Sequence, residues 1–412
     1  MTRLFLLWTA LTGVVMGQTR PFPVHARYPG GVIRPSGFTQ EQQDADVRSA
    51  YDAWKKDYLK EAGKDEATGK TLYRVAFGKT PPKSAVTVSE GQGYGMVITA
   101  IMAGHDPEAR ALFDGLYLFA KAHPDKRTPG LMQWRVPLES ADGGGGTSAF
   151  DGDADIAQGL VLAHVQWGEG GAISYKQAAN EVIAAQLKGC IGPESRLPLL
   201  GNWVKAGDKK FSQYTPRSSD LQPLHFRSWA KFSGDPVWNT VADNCSAVVD
   251  ALQKNYSAET GLLPDFIVEA NPPSAAKPAP PKFLEGEHDG AYFYNAGRDP
   301  WRIGLDALLN DHATSKAQAR KMAAWIGKVT GGDAAKIKAG YALDGKPLQG
   351  SDYFTPFFSS PFGVAAMLDG GSQKLLDSIY GKARSTRQAY YEDTVNLLCL
   401  LAMTGNYWQP EK

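Results

Sequence analysis

Apolar residues recur with a spacing near that of an α-helix along almost the whole chain, and this periodicity constrains the fold most strongly. It predicts about twelve helices, with loops rich in Gly, Pro and Asp between them. The predicted helices are Gln40–Tyr58, 89–103, 108–122, 154–167, 175–187, 225–233, 238–255, 301–309, 316–329, 361–369, 373–380 and 391–403. Short strand-like pieces such as 72–75 are few, so we expect an all-α protein.

The number and order of the predicted helices favour six hairpins arranged in a ring, with the inner helices presenting their ends to one rim. After a 17-residue leader, 395 of the 412 residues remain, which exceeds the usual size of one domain. No low-complexity hinge divides them, and the Pro/Ala/Lys-rich stretch 271–282 is short enough for a surface loop. We therefore expect residues 18–412 to form a single domain.

The first seventeen residues have the pattern of an export signal. Arg3 supplies the positive start, residues 4–16 are mostly apolar, and small or aliphatic residues precede a cleavage position before Gln18. The apolar run is too short to span a membrane, and no other stretch approaches ~20 apolar residues. The sequence thus predicts a signal peptide over 1–17 and a secreted protein, extracellular or periplasmic.

Charge and composition narrow the classes of partner. The formal net charge of +1 gives no reason to expect binding to nucleic acid or to a membrane surface. Aromatic residues make up 11% of the chain, which suits a groove that stacks sugars as well as an aromatic core. The three cysteines have no metal-ligand spacing, and Cys190 with Cys245 is the one pair to consider for a disulfide. We expect no metal, no cofactor and a monomer.

The segment 88–96 places a carboxylate at the mouth of an apolar helix. Ser89 is expected to cap the helix, and Glu90 then falls in its first turn. The three glycines at 91, 93 and 95 cost roughly 1 kcal/mol each in helix propensity, which indicates a close approach of the backbone to another group, such as a ligand. With Tyr94 as a stacking surface, the segment suits a sugar ring. The alternative is a capped core helix whose glutamate serves only the helix dipole.

A second carboxylate cluster, Asp151, Asp153 and Asp155, begins another helix. The alternation could also bind a cation, but position 162, where an EF-hand loop needs a closing glutamate, is Leu. Upstream, Trp134 offers a stacking face for a pyranose, with Arg135 beside it as a further candidate for substrate binding. The alternative for Trp134 is a place in the core.

These motifs resemble those of the family 8 glycoside hydrolases. The matching segments, in the family's order, are Ser89-Glu90-Gly91-Gln92-Gly93-Tyr94-Gly95-Met96, Leu131-Met132-x-Trp134, Asp151-Gly152-Asp153-x-Asp155-Ile156-Ala157 and Tyr294-Asn295-Ala296-x-Arg298-x-Pro300-Trp301-Arg302. The resemblance implies an (α/α)6 barrel that inverts the anomeric configuration. It implies that Glu90 is the general acid and that Asp151 holds the sugar in the cleavage subsite.

The chain departs from many family members at Asn295, where they carry the aspartate that acts as general base. A neutral amide cannot take a proton from water. The sequence resembles the subgroup in which a glutamate from the preceding loop is the base. Four acids of the loop 269–289 are available: Glu285, preferred for its two apolar predecessors and its spacing from Asn295, then Glu287, Glu269 and Asp289. The alternative is a solvated charged loop.

The resulting hypothesis is an endo-acting enzyme that cleaves β-1,4 bonds in cellulose-like or mixed-linkage β-glucan. An inverting pair requires the carboxyls of Glu90 and Glu285 to lie roughly 6.5–9.5 Å apart. Asp153 and Tyr214 are expected to bind substrate, and Asn295 and Arg298 to order the water or the base. Chitosanase is the alternative within the family, and xylan remains open as a substrate. A polysaccharide lyase or a non-catalytic polysaccharide-binding protein is the alternative from another class.

Overall fold

The computed structural model describes residues 18–76, 86–137 and 146–410. Twelve α-helices make up most of the regular secondary structure in this part of the chain. They are α1 Gln40–Tyr58, α2 Ser89–Ile101, α3 Ala109–Ala122, α4 Phe150–Trp167, α5 Tyr175–Cys190, α6 Pro223–Ser233, α7 Val237–Asn255, α8 Asp299–Asn310, α9 Ala313–Thr330, α10 Pro356–Ala366, α11 Gln373–Ala383 and α12 Tyr390–Met403. Each predicted helix is present, so the all-α prediction is confirmed. The predicted signal peptide lies outside the described residues.

The even-numbered helices form an inner ring, and the odd-numbered helices pack around it. The inner helices are buried along nearly their whole length, whereas α1, α7 and α9 each bury one face. Inner neighbours pack in sequence order, α2 on α4, then α6, α8, α10 and α12. Gly91 of α2 lies against the Tyr390 hydroxyl of α12, which closes the ring. The architecture is the predicted (α/α)6 barrel, in one domain with one main core.

The glycines of α2 allow close helix packing and not the approach of a ligand. A Cβ atom added to Gly93 would lie 2.6 Å from Cβ of Asp155 and 2.8 Å from the carbonyl oxygen of Gly152, both in α4. Only a residue without a side chain permits this crossing. The expected capping by Ser89 is also wrong, because α2 begins at Ser89 itself and its N-cap, Val88, comes straight from a strand with no side-chain capping bond.

Two helices start four or more residues before their predicted positions. Helix α10 begins at Pro356, and Thr355 caps it by accepting a hydrogen bond from the backbone N–H of Phe357 (3.0 Å). Pro361, which is typical of a first turn, lies inside this helix. Helix α4 begins at Phe150 and not at 154, so its three aspartates occupy the first two turns and point in different directions.

Three two-stranded antiparallel sheets complete the described structure: β1 Leu59–Lys64 with β2 Thr71–Val75, β3 Val86–Val88 with β4 Arg135–Pro137, and β5 Ile267–Val268 with β6 Lys277–Pro278. Strand β3 leads directly into α2 and pairs Val88 with Arg135. The backbone N–H of Ser89 then donates to the carbonyl of Trp134 (3.0 Å). This small sheet therefore fixes Trp134 beside the start of α2.

The N-terminal ends of the inner helices meet at one end of the barrel, which we call the open rim. The other end is the closed rim, because residues 19–34, the N-terminal strap, run across it. Backbone N–H groups of the strap donate to carbonyls just beyond inner helices: Phe22 to Ala103 (2.5 Å), Ala26 to Gly405 (2.7 Å) and Ile33 to Met367 (2.8 Å). The strap thus covers one end and leaves the other accessible.

Two further predictions can be compared with the described residues. Cys190, Cys245 and Cys399 are all buried free thiols, so the considered Cys190–Cys245 disulfide is absent from the structure. Across 18–76, 86–137 and 146–410, no helix has both the length and the apolar character needed to cross a membrane.

Candidate active site

Charged and polar side chains from four of the inner helices, and from the turns before them, meet at the open rim. Glu90 lies in the first turn of α2, Asp151 in the first turn of α4, Ser219 in a short 3-10 turn before α6, and Arg298 at the N-cap of α8. Helix N-termini carry partial positive charge and therefore favour carboxylates. The fold thus brings together residues that are more than 200 positions apart in the chain.

Arg298 connects these groups. Its Nη1 donates to Glu90 and to Oδ2 of Asp151 (3.0 Å), and its Nη2 donates to Oγ of Ser219 (2.7 Å) and Oδ1 of Asn295 (3.2 Å). The guanidinium is fully buried, with 1% of its side chain exposed. A buried guanidinium is stable only when its donors are satisfied, so this residue fixes the positions of its partners.

Glu90 lies in an environment that favours its protonated form. Burial raises the pKa of its carboxyl to about 7 and outweighs the opposite effect of the Arg298 guanidinium. The Tyr94 hydroxyl donates to Oε1 of Glu90 (3.2 Å). Because a carboxylic acid with such a pKa still carries its proton near neutral pH, Glu90 is able to act as a general acid.

Asp151 lies beside Glu90 and has the opposite character. Burial alone would raise its pKa, but the guanidiniums of Arg217 and Arg298 prevail and lower the pKa to about 2. Arg217 Nη1 lies 3.5 Å from Oδ2 of Asp151. The rim therefore holds one ionised and one protonated carboxyl side by side, which keeps two like charges from meeting.

Asn295 joins this cluster to Glu285. The Asn295 side-chain amide donates from Nδ2 to Oε2 of Glu285 (2.9 Å), while its Oδ1 accepts from Nη1 of Arg217 (3.3 Å) as well as from Arg298. Glu285 itself is exposed to solvent. Glu90 and Glu285 are thus linked through one guanidinium and one amide. The first carboxyl is mostly buried, with 15% of its side chain exposed, and the second is open to water.

The loop carrying Glu285 is held by its neighbours. Asp289 accepts hydrogen bonds from the backbone N–H groups of Leu284 (2.6 Å), Glu285 (3.0 Å) and Gly286 (2.9 Å). Phe283 is buried, with its ring centroid 5.1 Å from that of Phe211. Of the two apolar residues expected to anchor Glu285, Phe283 does so, whereas Leu284 is exposed.

The other acids of the loop have different partners. Glu287 pairs with Lys282 (2.5 Å) and Glu269 pairs with Lys277 (2.6 Å), both at the surface. Asp289 is buried, and its carboxylate accepts hydrogen bonds from the loop backbone. Of the four acids considered, Glu285 is the one that contacts Asn295.

Trp134 is 40% exposed and lies beside the start of α2, so its side chain is not part of the core. Arg135 is half-buried on β4 next to it. An exposed indole at the edge of a charged rim is a suitable platform for the apolar face of a sugar ring. The predicted roles of both residues in substrate binding remain predictions.

Two predicted binding residues are wrong in their placement. Tyr94 is completely buried one turn after Glu90, with its ring centroid 6.0 Å from that of Trp301, so it cannot offer a stacking surface. Asp153 is buried and accepts a hydrogen bond from the backbone N–H of Met132 (2.7 Å). Residues two apart on a helix point to different sides, so Asp153 cannot share the rim position of Asp151. It supports the segment that leads to Trp134.

A second buried layer of charge lies beneath the rim. Arg302 donates to both oxygens of Asp155, at 2.9 and 2.5 Å, and His225 lies 2.9 Å from the same carboxylate. Burial opposes ionisation of Asp155, but Arg302 and His225 together lower its pKa. Arg302 Nη2 also donates to the Tyr94 hydroxyl (3.3 Å), so this layer supports Glu90 from below.

Tyr214 lies apart from the Glu90 cluster. It is half-buried, its hydroxyl donates to Glu194 (2.9 Å), and it lines an open groove formed by segments 208–215 and 268–283. The predicted contact of Tyr214 with substrate remains a prediction.

Two residues of the rim, Arg217 and Asp265, were not singled out from the sequence, and both contact Asn295. Asp289, which the sequence offered as a possible base, supports the Glu285 loop instead. A single aspartate in the apolar run 262–267 is the available signal for Asp265, because a carboxylate in such a run needs a buried partner. Across the three described segments, no group of three or more His, Cys, Asp or Glu is arranged to hold a metal ion.

Comparisons with known proteins show the family of the chain. The model of the family "Glycosyl hydrolases family 8" matches residues 21–405. The chain is 40% identical to the Beta-glucanase of Niallia circulans over 94% of this chain and 91% of that protein, and 37% identical to an Endoglucanase of Bacillus sp. strain KSM-330 over 96% and 83%. The structure of the Beta-1,3-1,4-glucanase from Paenibacillus sp. X4 superposes with a TM-score of 0.88, at 38% identity, over 95% of this chain and 100% of that one. The chain therefore belongs to family 8 of the glycosyl hydrolases, and it is a glycoside hydrolase.

Proposed function

We propose that this protein is an inverting endo-β-glucanase in which Glu90 is the general acid and Glu285 the general base. The observation that carries the proposal is the contact from Glu90 through Arg298 and Asn295 to Glu285. It joins a buried carboxyl with a raised pKa to an exposed carboxylate on the same rim. Two carboxyl groups in unlike environments are what acid–base cleavage of a glycosidic bond requires.

In the proposed reaction, Glu90 gives its proton to the glycosidic oxygen as the bond to the anomeric carbon breaks. Glu285 removes a proton from a water molecule, which attacks the same carbon from the opposite face of the ring. Glu90 ends as a carboxylate and Glu285 as a carboxylic acid, and solvent restores both. The exposed position of Glu285 supports its role because the attacking water must reach it.

Asp151 and Trp134 are proposed to hold the sugar next to the reacting bond. Asp151 stays ionised, so it is a strong acceptor for sugar hydroxyl groups. Trp134 provides the exposed aromatic face. Asn295 lacks a basic oxygen and serves to orient Glu285.

The stereochemistry of the product tests this mechanism. An inverting enzyme releases the α-anomer from a β-linked glucan, and proton NMR during the first minutes of hydrolysis detects it before mutarotation. Initial release of the β-anomer would overturn the inverting mechanism, because retention needs the second carboxylate as a nucleophile at roughly 5–5.5 Å from the acid.

For the substrate we propose β-glucan, either cellulose-like or mixed-linkage. The relatives at 37–40% identity carry the names β-glucanase and endoglucanase, which favours glucan over chitosan or xylan. Comparing the hydrolysis of carboxymethylcellulose, lichenan, xylan and chitosan at equal enzyme concentration tests the choice. Faster cleavage of chitosan or xylan than of both glucans would overturn it.

We also propose that the protein is exported and that residues 1–17 are removed. The support is the pattern of Arg3 followed by a short apolar run. N-terminal sequencing of the protein recovered outside the cytoplasm is expected to begin at Gln18. An intracellular protein that keeps its first residues would contradict the proposal.

A further inference from the structure

We propose that Asp265 is a positioning residue, which aligns the Glu285 base by orienting the side-chain amide of Asn295. The inference rests on the proposed role of Glu285. Asp265 is buried and lies in the segment just before β5, with no direct path to a substrate. Its influence on the reaction therefore has to pass through another side chain.

The first step of the argument is that the Asn295 amide uses all of its hydrogen-bonding capacity. Its Nδ2 donates to Glu285 (2.9 Å) and to Oδ2 of Asp265 (3.3 Å), and its Oδ1 accepts from Arg217 (3.3 Å) and Arg298 (3.2 Å). An amide has two donor hydrogens and two acceptor lone pairs. The NH2 group thus faces oxygens of two carboxyl groups and the amide oxygen faces two guanidiniums, so only one orientation of the amide fits.

The second step concerns how Asp265 is itself held. Its Oδ1 accepts three backbone N–H groups of the turn that carries Asn295: those of Phe293 (3.0 Å), Asn295 (3.1 Å) and Ala296 (2.7 Å). One oxygen of Asp265 thus fixes the backbone of the turn, and the other fixes the side chain that this turn presents. Burial raises the pKa of Asp265 to about 7 despite these bonds.

The third step explains why a neutral residue stands at position 295. A carboxylate there would present only acceptor oxygens to Asp265 and Glu285, with no hydrogen to give them, and its charge would repel that of Glu285. An amide satisfies both. Asp265 therefore makes asparagine the suitable residue at 295, and with Asn295 it holds Oε2 of Glu285 so that the other oxygen can accept a proton from water.

The test is a double-mutant cycle with Asp265→Asn and Asn295→Ala. Asp265→Asn keeps an oxygen for the three backbone N–H groups but replaces the acceptor that faces Asn295 with a donor. We expect kcat on β-glucan to fall about 10–100-fold with KM changed less than about 3-fold, since only alignment of the base is lost. In the Asn295→Ala background, Asp265→Asn is expected to lower kcat less than about 3-fold, because the residue through which Asp265 acts is gone.

Asp44→Asn is the matched control. Asp44 is a buried carboxylate at the closed rim that accepts hydrogen bonds from Gln40 and Asn406. Its replacement removes a buried charge without contacting the site, so kcat is expected to stay unchanged while the melting temperature falls. Thermal unfolding of every variant separates loss of fold from loss of alignment, and Asp265→Glu, which displaces the carboxylate by one methylene, replaces Asp265→Asn in the cycle if the latter does not fold.

The outcomes separate the positioning role of Asp265 from the base role of Glu285. Equal losses from Asp265→Asn with and without Asn295 would assign Asp265 a purely structural role and overturn the inference, as would no loss at all. Near-normal activity of Glu285→Ala would instead overturn the base assignment of the proposed function. Hydrolysis lost in Glu285→Ala together with an unaffected Asp265→Asn would leave the proposed function intact and remove Asp265 alone.

Discussion

The two ends of the barrel bury their polar groups in different ways. The open rim uses charges: Arg298 satisfies Glu90 and Asp151, and the pKa values of these two carboxyls move in opposite directions. The closed rim relies mainly on neutral amides, with Asp44 as a buried carboxylate beside them. There the Gln166 side chain accepts a hydrogen bond from the backbone N–H of Arg20 (2.8 Å) and donates one to the carbonyl of Ala100 (3.0 Å). The Asn406 side chain accepts one from the backbone N–H of Val24 (2.9 Å).

The difference indicates what each end is for. Amides fully paired with backbone groups join the strap to the barrel at little electrostatic cost, because no charge is removed from water. Buried ionic groups are an expensive way to hold a structure together and are weak evidence of stability. A cluster of charges at one rim and a predominance of amides at the other therefore separate catalysis from stabilisation. Variants at the two ends are expected to differ in the same way.

The largest effect is expected for Glu90→Gln. The amide has nearly the shape of the carboxylic acid but cannot give a proton, so kcat on β-glucan should fall about 10²–10⁴-fold or more. The melting temperature should stay close to that of the parent protein, because the closed rim is untouched. An aryl glucoside with an activated leaving group needs little protonation and is expected to retain far more of its rate. Near-normal turnover of β-glucan would remove Glu90 as the acid.

Glu285→Ala is expected to be almost as damaging, with several orders of magnitude lost in kcat, of which general base catalysis accounts for about 10²–10⁴. Azide, which attacks without a base, should restore part of the rate. Glu287→Ala is the matched control, since Glu287 pairs with Lys282 at the surface. The expected order of loss is Glu285→Ala, then Asn295→Ala, then Glu287→Ala, and a larger loss for Glu287→Ala would transfer the base role to it.

The pH dependence follows from the raised pKa of Glu90, about 7. The acid must be protonated, so kcat/KM is expected to hold below this pKa and to fall about tenfold per pH unit above it. The profile with the activated aryl substrate should lack this basic limb. A basic limb of equal size with β-glucan and with the aryl substrate would show that a group other than Glu90 causes it.

At the closed rim, Gln166→Ala is expected to lower stability and leave catalysis unchanged. It leaves the strap N–H of Arg20 and the carbonyls of Arg20 and Ala100 without their partner, which costs about 1–3 kcal/mol of unfolding free energy. Urea unfolding measures the loss, and kcat of the folded fraction provides the comparison with the open rim. A kcat that falls with stability would show that the two ends are coupled.

The smallest effect is expected for Trp134→Ala. Trp134 is exposed, so its loss leaves no cavity and the melting temperature should hold. Loss of an aromatic platform is expected to weaken binding by about 0.5–1.5 kcal/mol, which corresponds to roughly a 2- to 13-fold higher KM. An unchanged KM for long glucan chains would remove Trp134 from the binding surface.

The helices of this protein could be predicted because their signal is local. Each amphipathic segment carries its own period, and all twelve predicted helices are present. The starts of α4 and α10 were displaced because aspartates and prolines occur inside a first turn as readily as before it. The glycines of α2 were linked to a ligand, since a sequence does not say which other backbone a glycine approaches.

The acids of the site could be identified by their motifs, but their environments could not. Tyr94 lies one turn after Glu90, and only the packing of α2 against the other inner helices decides that it points inward. Arg217 and Asp265 contact Asn295 although they precede it by 78 and 30 residues in the sequence. No periodic pattern connects these positions. Pairings of buried charges are set by the completed ring and not by a local segment.

The strap has a consequence for the order in which the molecule is assembled. Val24 donates to Asn406, 382 residues later, so the strap is synthesised long before the residue to which it docks. Helical hairpins form from local contacts and need not wait. The seam between α12 and α1, which the strap spans, can form only once α12 has been synthesised. Until then the strap does not cover the C-terminal ends of the inner helices. The incomplete barrel therefore exposes its core at the closed rim, opposite to the candidate active site.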